Sequence, residues 1–115
     1  MLKHGELLHY EYLSNLVSNL DLVGEDKRNI VSVISEPIWT PKPFECHTLC
    51  DLIILYHDKT ASAVELKGSI GQRHKAINQI KAGRDYILDI LNFEFKYGLF
   101  VVYYDGGYKH ERILI

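Results

Sequence analysis

Only two cysteines occur in the 115 residues, Cys46 and Cys50, too few and too close together for the disulfide framework of a small secreted domain. No stretch approaches the ~18 to 20 apolar residues needed to span a bilayer. The opening segment, MLKHGELLHYEYL, lacks an uninterrupted apolar core followed by a small-residue cleavage site, so it does not read as a secretion signal. The expectation is a cytoplasmic protein, or one made in a host cytoplasm if viral, with no membrane partner. Glycine and proline are not in excess, at eight and three residues, which argues against a disordered or low-complexity chain. Charge of one sign is also missing. A net charge of -2 rules out a strong positive field over the whole molecule, so any nucleic-acid binding must use a local patch.

Such a patch is present. Between Leu66 and Arg84 the chain carries Lys67, Arg73, Lys75, Lys81 and Arg84 and no Asp or Glu, offset by Glu6, Glu11, Asp21, Glu25 and Asp26 near the N-terminus. The length suits one domain, residues 1–115, with a single core.

From Leu2 to about Leu22, Leu2, Leu13, Leu16, Val17 and Leu20 share one face at about 100 degrees per residue, which predicts an amphipathic helix ended at Gly24-Glu25-Asp26. Glu6 and His9 project within that apolar face, and Glu11 nearly opposite. Asn29–Ile34 alternates like a strand, and Pro37, Pro41 and Pro43 predict a loop after it. Leu49–His57 and Ala61–Lys67 form a hairpin around His57-Asp58-Lys59-Thr60. Ile70, Ile77, Ile80, Ile87, Leu88 and Leu91 mark a second long helix. Leu99–Tyr104 reads as a buried strand, turned at Asp105-Gly106-Gly107 into a last strand, Tyr108–Leu114. The predicted order is α-β-β-β-α-β-β, an α/β fold.

Alternation places Asp51 on one face of its strand with Ile53, Leu55 and His57, and Glu65 with Lys67 on the next, so the hairpin brings Asp51 opposite Glu65 or Lys67. Two carboxylates and a lysine in an apolar strand pair must be solvated, paired or used. A divalent cation removes the repulsion between two carboxylates, and Mg²⁺ in particular takes one or two of them with waters and phosphate oxygens. A lysine beside it can orient water and stabilise phosphate charge.

The pattern Asp51-x13-Glu65-x-Lys67, with Asp51 entering one strand and Glu65-Leu66-Lys67 in the next, resembles the PD-(D/E)XK nuclease superfamily. Cys50 stands where that motif has its proline. The resemblance implies a restriction-endonuclease-like αβββαβ core, a mixed central sheet flanked by helices, here with an extra C-terminal strand. It implies a Mg²⁺- or Mn²⁺-dependent phosphodiesterase acting on DNA, with Asp51, Glu65 and Lys67 catalytic. Metal ligands would be Asp51 and Glu65, supplemented by Glu6 on the first helix and the Leu66 backbone carbonyl. Glu36 is a further supplement, and Glu11 the weaker helix choice. Several superfamily members use a Gln on the second helix. Here Gln72, Arg73, Lys75, Gln79, Lys81 and Arg84 form the expected DNA-contacting set, and Arg73 and Arg84, falling among apolar positions, either snorkel or point into the cleft. In size and order the chain is similar to archaeal Holliday junction resolvases, which are homodimers, so a homodimer with Ile113-Leu114-Ile115 in contact is expected.

Two other readings stand beside this one. The trio can be a structural cross-strand ion-pair set in a catalytically inactive nucleic-acid-binding or protein-interaction module. Cys46, His47, Cys50 and His57 invite zinc, but no C-x2-C knuckle is present and the odd separation of Cys50 and His57 puts them on opposite faces. Tyr103, Tyr104 and Tyr108 read as packing residues before stacking platforms.

Overall fold

A computed structural model describes residues 4–37 and 49–115. Leu2, Pro41, Pro43, Cys46 and His47 lie outside the described residues. The chain runs α1 (His4–Ser18), β1 (Ile30–Ser35), β2 (Leu52–Tyr56), β3 (Thr60–Lys67), α2 (Arg73–Tyr86), β4 (Glu94–Tyr104) and β5 (Gly107–Ile113). Short 3₁₀ turns cover Leu20–Val23, Lys27–Asn29 and Ile70–Gln72, and a π-helical turn, Ile87–Leu91, extends α2. The five strands form one mixed sheet in the order β1-β2-β3-β4-β5, antiparallel throughout except for the parallel pair β3 and β4. α2 is the crossover that parallel pairing requires.

Central position explains the composition of β3. Strands covered on both faces cannot alternate apolar with polar, and Ala61 to Leu66 are all buried. One face, built from Leu52, Ile54, Val64, Leu66, Leu99 and Val101, packs on Leu13, Leu16 and Leu20 of α1 and its extension. The other, with Ile53, Ala61, Ala63 and Phe100, packs on Ala76, Ile80 and Ile87 of α2. Small residues set the approach of α2: a Cβ on Gly83 would lie 2.8 Å from Cys50 Sγ and 2.9 Å from Ala63 Cβ, and one on Gly98 would lie 2.3 Å from Ile80 Cγ2. Gly83 and Gly98 therefore both mark close contacts of helix and sheet.

Elements differ from expectation mainly at their ends. The first helix stops at Ser18, and a 3₁₀ turn capped by left-handed Gly24 completes the apolar stripe. β4 begins at Glu94, five residues before the apolar run that announced it, because Thr60 and Ala61 supply partners for Glu94 and Phe95. At the end of β2 remote from Asp51, the buried Glu25 carboxylate accepts hydrogen bonds from the Tyr56 and Tyr97 hydroxyls, and the Tyr56 oxygen accepts from the Ser62 hydroxyl. Burial and Glu25 push the Tyr56 phenol up.

Candidate active site

The register Leu52↔Val64, continued by one residue, puts Asp51 level with Glu65. Asp51 precedes β2, outside the regular pleat, and its backbone N–H donates to the Val64 carbonyl at 3.0 Å and to Glu65 Oε1 at 3.0 Å. Its carboxylate is held in turn: Oδ2 accepts the Leu66 N–H at 2.7 Å, and Oδ1 lies 3.2 Å from His9 Nε2. Lys67 Nζ stands 3.1 Å from Glu65 Oε2. Asp51, Glu65 and Lys67 are thus one connected group at the end of the β2–β3 pair.

Both carboxylates are withdrawn from water, with Asp51 at 7% and Glu65 at 2% exposure. Burial, reinforced by the charge of Asp51, pushes the Glu65 carboxyl up to about 9. Burial alone would also raise Asp51, but hydrogen bonds from His9, Glu65 and the Leu66 N–H together bring it below its ordinary value. Burial and mutual repulsion thus raise the affinity of the coupled pair for a proton, which belongs to the two carboxyls together. An uncompensated buried carboxylate costs several kcal/mol. Lys67 beside Glu65 and the hydrogen bonds to Asp51 supply part of that compensation, and two carboxylates completed by water are also a donor set that Mg²⁺ accepts. Among the described residues no three His, Cys, Asp or Glu side chains are grouped to hold a metal. N–H and C=O of one strand residue point to the same side. The Leu66 carbonyl therefore opens toward Asp51, like its N–H, while the Leu66 side chain is buried against α1.

The helix contribution differs from expectation. Glu6 is exposed, and the α1 side chain hydrogen-bonded to Asp51 is that of His9. His9 lay in the apolar face of the first helix together with Glu6, which was the only signal in the sequence. α1 is pinned over the site by aromatic packing. Tyr12 stacks on Tyr103 with centroids 4.3 Å apart, Tyr108 donates to the Tyr12 carbonyl at 2.7 Å, and Tyr103 lies beside Gly68 and the His9 ring. Tyr103 and Tyr108 are packing residues; Tyr104 is exposed with Lys109 over its ring. Glu11 is exposed. Glu36 is closer to the centre: its N–H donates to the Asp51 carbonyl at 2.7 Å.

On the other side of the site, α2 runs back along β3. Gly83 sits over Ala63. Four helical residues rise about 6 Å and two strand residues about 6.6 Å, so Gln79, one turn before Gly83, comes level with Glu65. It is half-buried, whereas Gln72 is exposed beyond the sheet. Lys75 and Lys81 are exposed. Arg73 and Arg84 are occupied: Arg73 forms a bidentate pair with Glu111 of β5 at 2.7 and 2.9 Å, and Arg84 pairs with Asp85 at 3.3 Å. Cys50 is buried under Gly83 with its thiol pushed up by burial, and His57 is exposed at the other end of β2, so these two cannot share a zinc ion. No helix among the described residues is long and apolar enough to cross a membrane.

Comparison of the chain with protein-family models, curated proteins and solved structures finds no match.

Proposed function

We propose that the protein is a Mg²⁺- or Mn²⁺-dependent nuclease of the PD-(D/E)XK type that hydrolyses DNA phosphodiester bonds. The observation that carries this is the buried Asp51–Glu65 pair with Lys67 at 3.1 Å, at the exit of two neighbouring strands. Asp51 and Glu65 would hold the metal, with the Leu66 carbonyl on the same side. When bound, the ion supplies Lewis acidity to a phosphate oxygen and lowers the pKa of a water. Lys67 then presents its ammonium to the attacking water and to the charge gathering on the phosphate. His9 and the Leu66 N–H keep Asp51 in one orientation, and a cation would take the place of some of the contacts that now hold the two carboxylates. Half-buried Gln79, level with Glu65 along α2, is the helix residue suited to meet the substrate. Lys75 and Lys81 extend a basic surface along α2 to contact backbone phosphates without reading bases. The reading includes a symmetric dimer that presents two sites to two strands, with exposed Leu114 and Ile115 at its contact.

One observation favours a second reading. Each of the four carboxylate oxygens of Asp51 and Glu65 already has a protein partner: His9, the Leu66 N–H, the Asp51 N–H and Lys67. A closed network of this kind also suits an inactive module of the same fold that binds nucleic acid or protein. Labelled linear, branched and single-stranded DNA incubated with Mg²⁺, Mn²⁺ or EDTA separates the two. Metal-dependent cleavage that disappears in Glu65→Gln and Lys67→Ala is the expected result. Undiminished cleavage in both variants would sink the assignment, and binding without cleavage under every metal selects the module.

A further inference from the structure

Beside the carboxylate pair, on the side away from α2, a cleft of about 300 Å³ opens between α1 and the end of β1. Tyr10, Ser14, Ser18, Ser35 and Glu36 line it, and the Tyr10 hydroxyl is hydrogen-bonded to the Glu36 carboxylate. Its apolar floor is Leu13 and Val17, and among the described residues no lysine or arginine lines it. The cleft adjoins the site through two connections: Glu36 donates its N–H to the Asp51 carbonyl at 2.7 Å, and the Tyr10 ring is in edge contact with His9, centroids 5.7 Å apart. Glu36 is held with φ +50, a conformation uncommon for glutamate. Strain of this sort persists where the surroundings over-determine a residue, and it gathers at binding sites.

The charge distribution decides what the cleft can take. A carboxylate without a cation repels phosphate, so the sugar–phosphate chain belongs over the basic α2 side. The complement of an acid, several hydroxyls and an apolar floor is a flat, uncharged group rich in N–H donors. We propose that this cleft is the subsite for one unpaired nucleobase next to the scissile phosphate, with Tyr10, 41% exposed, as its stacking surface and Glu36 as its hydrogen-bond acceptor. A base stacked and paired in a duplex cannot enter a walled cleft; one in a bulge, flap or junction can. Guanine alone offers two adjacent donors on its Watson–Crick edge to the Glu36 carboxylate, which keeps lone pairs beside the one that Tyr10 uses, so it ranks first. The inference rests on the nuclease reading for its substrate and adds which part of that substrate the protein recognises.

Binding without turnover tests it. Fluorescence anisotropy in EDTA would compare a fully paired hairpin with the same hairpin carrying one extrahelical guanine, thymine or abasic nucleotide. Wild-type protein should prefer the extrahelical guanine by about tenfold over the paired or abasic form, the size of one base–aromatic stack. Ser14→Trp, an exposed helix position that fills the cleft, should abolish that preference, and Glu36→Gln should erase the advantage of guanine over thymine while leaving the stacking gain. Equal affinity for all four DNAs, or a preference unchanged in Ser14→Trp, overturns the subsite even if the protein cuts DNA. A preference that persists in a protein showing no metal-dependent cleavage upholds the subsite and removes the nuclease. No binding to any DNA overturns both.

Discussion

The Asp51 backbone N–H donates to Glu65 Oε1 at 3.0 Å, so the residue that supplies one carboxylate also holds the other in place. This link holds the pair together, while burial and the charge of Asp51 raise the Glu65 carboxyl, and a pH dependence follows. Glu65 titrates near 4.5 when unfolded and near 9 when folded. Between those values the native state binds a proton that the unfolded state has lost. The stabilisation is therefore complete below about pH 4.5 and declines as pH rises toward 9. Asp51 is shifted the other way, and its contribution is lost only as pH falls below 3.8, outside that window. We expect urea denaturation in EDTA to show the wild type losing stability from pH 5 to about 9 relative to Glu65→Gln. Mg²⁺ should reverse the order by stabilising the wild type alone, with proton release seen by calorimetry in two buffers.

Gly98 faces Ile80 of α2, and an added Cβ would lie 2.3 Å from Ile80 Cγ2. Gly98→Ala should destabilise by about 1 to 3 kcal/mol through overpacking. Ile80→Ala makes room, so the double variant should be more stable than the sum of the two single changes allows. A purely additive result would show that the helix moves away instead.

Glu25 lies at the opposite end of β2 from the site, holding the hydroxyls of Tyr56 and Tyr97. Removing one donor with Tyr97→Phe should cost roughly 1.5 to 3 kcal/mol, the range for hydrogen bonds to a charged group. Mg²⁺ affinity should stay at the wild-type value. A change in metal binding would reveal coupling along β2 that the contacts do not suggest.

The lysines and arginines of α2 should separate in a salt titration. Lys75→Ala and Lys81→Ala should each lower the slope of log affinity against log salt by about one and weaken all sequences equally. Arg73→Ala should change the slope less, because its guanidinium is already neutralised by Glu111. Instead, urea denaturation should show a small loss of stability from that exposed pair.

The element order was legible because each amphipathic segment buries one face, and periodicity reports that face whatever lies beneath it. Leu13, Leu16 and Leu20, or Ile80 and Ile87, announce themselves at helical spacing and are buried as expected. The start of β4 was not legible, since Glu94 to Tyr97 join the sheet through pairing with β3 rather than through their own composition. Around the site, the spacing of Asp51, Glu65 and Lys67 was enough to bring the three together, because one hairpin register suffices and a register is local. Contacts across long separations were beyond it. His9 meets Asp51 over 42 residues, and Arg73 is drawn to Glu111 over 38. Glu6 and His9 shared an apolar face in the sequence, and only the seating of α1 on the sheet selected His9. By itself the sequence determined which chemical groups the hairpin carries. Tertiary structure decided how far they are buried, which side chains hold them, and that a cleft lined by Tyr10 and Glu36 adjoins them, since burial and long-range pairing exist only once the layers have packed.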